Sequence, residues 1–97
     1  MKTLADWQKE IHALAREKGW WDEERPIPEL LCLIHSEVSE ALEAYRERNH
    51  AGVAEELADV VIRCLDMADG LHIDLEDEIA CKHEFNKTRP YRHGKAC

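Results

Sequence analysis

Two runs of apolar residues at helical spacing are separated by only three residues, His50, Ala51 and Gly52. So short a link between two helices makes them antiparallel neighbours, and this hairpin dictates most of what the chain can become. The first run, helix 2, starts near Pro28, a residue suited to a first helical turn, and continues to about Asn49. The second, helix 3, extends from about Val53 to Asp69 and is closed by Gly70. Ahead of them, helix 1 covers about Leu4 to Lys18, with Thr3 as N-cap, Asp6 three residues on and Gly19 as its stop. Its apolar stripe is Leu4, Trp7, Ile11 and Leu14. Behind them, Asp74 caps helix 4, which ends near Pro90 because the residue before a proline avoids the helical region. Strand-like alternation is absent and β-branched residues are few. The expected fold is all-α, a single domain over residues 1–97.

The helical wheel puts acids where a core should be. On helix 2, Leu30, Ile34, Val38, Ala41 and Tyr45 define the apolar centre, and Glu37 and Glu40 lie on its flank. Glu43 and Glu47 fall on the polar side. On helix 3 the stripe is Val53, Leu57, Val60, Cys64, Met67 and Leu71. Glu56 borders it, Asp59 lies one step further round, and Glu55, Asp66 and Asp69 point away. Each helix of the hairpin thus offers an i, i+3 pair of acids at the edge of its buried face, spaced to grip one ion together. Converging carboxylates repel by about 4 kcal/mol per close pair at an effective dielectric near 20. They persist when protonated or neutralised by a cation. An all-oxygen donor set suits Mg²⁺, or Mn²⁺ in its place, rather than zinc.

Charge is divided along the chain. Net charge is −8, which argues against binding a nucleic-acid polymer. Residues 1–81 hold 8 Lys and Arg against 20 acids, whereas residues 82–97 hold 5 against one. An acidic body with a basic tail can bind a cation and an anion close together. The inward face of helix 4, set by Leu75 and Ile79, continues to Lys82, Asn86 and Arg89, which are phosphate-binding side chains. The longest apolar runs are too short to span a bilayer. The opening Met-Lys-Thr-Leu-Ala-Asp-Trp turns polar too soon for a secretory signal. Four cysteines without C-x-x-C spacing read as reduced thiols, so a cytoplasmic protein is expected.

The run Ser36-Glu37-Val38-Ser39-Glu40-Ala41-Leu42-Glu43-Ala44, followed by Glu55-Glu56-Leu57-Ala58-Asp59-Val60, resembles the MazG-type nucleoside triphosphate pyrophosphohydrolases. Their motif, E-x-x-E, a spacer, then E-x-x-D, is matched by Glu37, Glu40, Glu56 and Asp59. The tail from Lys82 to Lys95 also looks like the end of many small members. The resemblance implies Mg²⁺-dependent cleavage of a (deoxy)nucleoside triphosphate between the α and β phosphates, giving the monophosphate and pyrophosphate. It implies that the four motif acids hold metal and serve catalysis, and that Lys82, Asn86 and Arg89 meet phosphates or sugar. It also implies a four-helix MazG-like bundle completed as a homodimer, or a dimer of dimers, with the site shared between subunits. One position departs: many members carry a further Glu just before the first motif acid, and this chain has Ser36.

Substrate choice rests on the linker between helices 1 and 2, which carries Trp20, Trp21, a run of charge and two prolines. Trp21 is the candidate for stacking on a base, and Trp20 is expected to cover the end of the bundle. The six histidines show no metal-ligand spacing and read as surface or boundary residues. Helix 3 has a broad apolar arc (Leu57, Val61, Leu65 and Ala68), wider than one short helix covers, which points independently to a dimer. Two alternatives use the same scaffold: an enzyme like phosphoribosyl-ATP pyrophosphohydrolase, and a helical dimer that binds nucleotide or a protein partner without turnover.

Overall fold

Three of the helices end in the same way, and those ends set the course of the chain. In the computed structural model, which describes residues 1–97, α1 spans Leu4–Glu17, α2 Ile27–Arg46, α3 His50–Gly70 and α4 Leu75–Lys87. A short 3₁₀ turn covers Tyr91–Gly94, and there are no strands. After α1, α2 and α3 the chain passes through a left-handed residue, Gly19 (φ 89°), Arg48 (φ 60°) and His72 (φ 59°). At each end the next amide bonds back five residues, from Trp20 to the Ala15 carbonyl, Asn49 to Ala44, and Ile73 to Ala68. This is the Schellman closure.

The hairpin link has the expected three residues but is shifted toward the N-terminus, to Glu47, Arg48 and Asn49 rather than His50, Ala51 and Gly52. Helix α3 begins at His50, because Asn49 serves both as the last residue of the α2 closure and as the N-cap of α3, accepting from the Gly52 amide at 3.0 Å. Gly70 is the last residue of α3 but not its left-handed closure, which falls on His72. A glycine stands at this last position because a Cβ there would overlap the Trp21 ring. The caps at Thr3, with its reciprocal bond to Asp6, and at Asp74 stand as expected.

Helix α3 is central, with α2 packed along one side and α1 along another, while α4 makes a slim contact with α1. The result is a three-helix core with an arm rather than a closed bundle of four. Several expected core positions face water: Trp7 and Leu14 on α1, Val38 and Tyr45 on α2, Leu57 on α3. The buried residues are instead Leu30, Leu65, Ala68 and Gly52, with Gln8 and Glu37 among them. Gln8 is tolerated because its amide donates to the Ile73 carbonyl at 2.8 Å and to Asp69 at 3.3 Å. The chain is open for its length, with a radius of gyration of 15.8 Å against about 12–13 Å for a compact chain of this size. All four cysteines are free. No helix is long and apolar enough to cross a membrane.

Candidate metal centre and adjoining cavity

Packing of α2 on α3 rotates Glu37 further inward than its flank position on the wheel suggests. It is 8% exposed, the most buried acid of the chain. Ligand oxygens of Glu37, Glu56 and Asp59 all lie within 4.8 Å of one another. Glu37 Oε1 accepts from Arg63 Nε at 2.7 Å, whereas Glu37 Oε2 and Glu56 Oε2 are buried with no hydrogen-bond partner. Glu40 is exposed and outside this group of three, yet close enough to Glu37 and Glu56 to influence both. Ser36 is turned along its own helix and donates to the Leu33 carbonyl.

Glu37 and Glu56 are driven in opposite directions. The Arg63 guanidinium holds Glu37 below the ordinary carboxylate value, against the cost of burial. Glu56 is pushed up to about 7, first by the hydrogen bond it shares with Glu37, then by burial and by Glu40. As two anions, both would leave an oxygen orphaned. With a proton on Glu56 given to Glu37, the pair is satisfied. A divalent ion can do the work of that proton. The ligand oxygens of Glu37, Glu56 and Asp59 converge within 4.8 Å of one another, so the oxygen donors that a hard cation needs face one point. The donor set, the orphaned oxygens and the spacing all fit a hard cation.

Beside the acids lies a cavity of about 370 Å³ that Glu37 and Asp59 help to line. Trp20, Arg25, Arg63 and Asp66 form much of its remaining wall. Asp66 does not point away from the core as expected. Its side chain is 14% exposed; Oδ1 takes His12 Nδ1 at 2.8 Å and the Trp21 indole N–H at 2.9 Å, and Oδ2 faces Arg25 at 3.8 Å. His12, expected as a surface or boundary residue, is a half-buried member of this network. Arg25 lies against both indoles, 5.1 Å from the Trp21 centroid and 5.9 Å from Trp20. Trp21 is packed over Gly70 and bonded to Asp66, and the ring that lines the cavity is Trp20, 65% exposed. His12, Arg25, Arg63 and Asp66 were not singled out by the sequence. The available signal was the 3–4–3 spacing of Glu56, Asp59, Arg63 and Asp66, a narrow arc at about 100° per residue.

The basic residues of α4 stand apart. Lys82 is exposed, with its Nζ 4.9 Å from the Phe85 ring, and Arg89 lies 5.9 Å from the same ring. Neither pairs with an acid, and Asn86 Oδ1 is buried without a partner. None of the three lines the cavity beside the acids.

No solved structure matches the chain. Among curated proteins, a dCTP pyrophosphatase 1 of Bos taurus is 31% identical over an alignment of 112 residues that covers 98% of this chain. The chain spans 65% of the length of that relative. The profile of the MazG-like family matches residues 25–96, which takes in the acids of α2 and α3, Arg63 and the basic residues of α4. With that match over most of its length, the chain belongs to the MazG-like family.

Proposed function

We propose that this protein hydrolyses nucleoside triphosphates between the α and β phosphates, releasing the monophosphate and pyrophosphate, with Mg²⁺ (or Mn²⁺) held by Glu37, Glu56 and Asp59. The observation that carries this reading is the convergence of those three carboxylates, two with buried orphaned oxygens, at the rim of a cavity large enough for a base. The 31% identical dCTP pyrophosphatase supports the reaction type.

When bound, the ion neutralises phosphate charge and polarises the phosphorus under attack. Glu40, exposed and outside the trio, accepts the proton of the attacking water. Trp20, with Arg25 against its ring, offers an aromatic face to the base. Lys82 and Arg89, which pair with no acid, take the phosphates and the leaving pyrophosphate, and Asn86, whose buried Oδ1 lacks a donor, meets a sugar hydroxyl.

A second copy of the chain completes the site. The α2 surface carries an exposed apolar stripe, Leu31, Val38, Leu42 and Tyr45, and α3 adds Leu57 and Val61. A chain with so few buried residues gains a core by covering these faces. Because α4 rests on α1, away from the cavity of its own chain, its cations serve the acids of the partner.

The test is pyrophosphate release from the eight common nucleoside triphosphates, with and without Mg²⁺. We expect release that requires the metal and falls more than about a hundredfold in Glu56→Gln, since loss of an outer partner alone costs 10–100-fold at such sites. No release from any of the eight would overturn the reading in favour of a non-catalytic helical dimer.

A further inference from the structure

Arg63 stands between Asp59 and Asp66 on the acidic stripe of α3, and its only protein partner is Glu37 Oε1, bonded through Nε at 2.7 Å. A guanidinium has five N–H donors, one on Nε and four on its terminal nitrogens. The four terminal donors have no protein acceptor, yet the residue lines the same cavity as Trp20. Of the nearby acceptors, Asp66 Oδ1 takes His12 and Trp21 and its Oδ2 faces Arg25, while Asp59, which bonds to no protein donor, is assigned above to the metal. Arg63 therefore keeps its terminal donors free at the cavity wall, and Glu37 holds its Nε in place.

We propose that Arg63 is the residue that reads the base: with Nε fixed on Glu37, the end-on fork of its two terminal nitrogens selects a base that presents two adjacent in-plane acceptors. This rests on the nucleotide reading above and adds which bases the cavity accepts. Guanine presents such a pair in O6 and N7, the partner that arginine forks take most often. Cytosine presents one in O2 and N3. Adenine sets its amino group beside N1 and N7, and thymine and uracil place N3–H between their carbonyls, so one prong of the fork meets a donor. A lysine at this position keeps a positive charge near Glu37 but has no planar fork.

The experiment compares kcat/KM for pyrophosphate release from dGTP, dCTP, dATP and dTTP in the native protein and in Arg63→Lys. The native protein is expected to favour dGTP and dCTP by about tenfold or more, in keeping with the discrimination of a bidentate pair. In Arg63→Lys the ratio is expected to fall within about threefold. An active native protein with no such preference, or a lysine variant that retains it, overturns the base-reading role and leaves the pyrophosphohydrolase reading standing. Absence of release from every nucleotide overturns both. If Arg63→Lys loses its helical fold, titration of the native protein with the four monophosphates, followed by tryptophan fluorescence, decides. Tighter binding of dGMP and dCMP supports the role, and equal binding of all four overturns it.

Discussion

Glu56 carries the electrostatic strain of the site. Its neighbour Glu37 is held ionised by Arg63, so Glu56 keeps its proton up to about pH 7, against an ordinary value of 4.5. The folded chain thus binds this proton more tightly than the unfolded chain does. Its contribution to stability is complete below pH 4.5 and fades as pH rises through 7. Metal-free protein is therefore expected to lose thermal stability from this group across that window. The loss should shrink in Glu56→Gln, whose amide keeps a donor for Glu37, as melting temperatures measured against pH in a chelating buffer will show. Glu37 works in the opposite sense: its pKa is lowered, so its contribution is present above 4.5 and is lost as pH falls below that value. All four motif acids were legible in the sequence from their i, i+3 spacing at the edge of apolar stripes. The difference between a buried Glu37 and an exposed Glu40 was not, because a wheel gives an angle and not the depth at which the next helix sits.

At the scale of elements, Asp66 ties α1, the linker and α3 together through His12, Trp21 and Arg25. Replacing it with Ala leaves a largely buried guanidinium and an indole N–H without their acceptor. The cost is expected to be about 2 kcal/mol or more, read from urea denaturation. Helix ends make a second prediction. His72 closes α3 in the left-handed region with φ 59°, a conformation costly for a residue with a Cβ. His72→Gly should stabilise the chain by about 1 kcal/mol, with part of the gain offset by the freer unfolded chain. This closure could not be read in advance. Glycine advertises a left-handed position, as Gly19 did, but a histidine or arginine there carries no such mark. Gly70 misled for the complementary reason: its small size serves the approach of Trp21 from another element.

For the whole molecule, the pattern of exposure carries the next prediction. The stripe on α2 recurs at 31, 38, 42 and 45, nearly in heptad register, and faces water along its length. In a dimer that covers it, Leu42→Asp places a charge in an apolar seam. Sedimentation is expected to show the native chain as a dimer or larger, and the variant shifted toward monomer, with pyrophosphate release lost in parallel because the cations of α4 no longer reach the acids. A native protein that sediments as a monomer and still turns over would overturn the shared site.

Periodicity, caps and a three-residue link were enough to determine four helices, their order, the antiparallel hairpin and the acids it brings together. These are local properties, set by the 100° step of a helix and by which side chains satisfy its free amides. Tertiary packing decided which of those acids is buried, that Asp66 turns inward, that Trp20 rather than Trp21 lines the cavity, and that Arg63 holds Glu37. The physical reason is that each depends on the rotation of one helix against another and on a linker with no period of its own. Burial and ion pairing are properties of two surfaces in contact, and a single helix has only one of them.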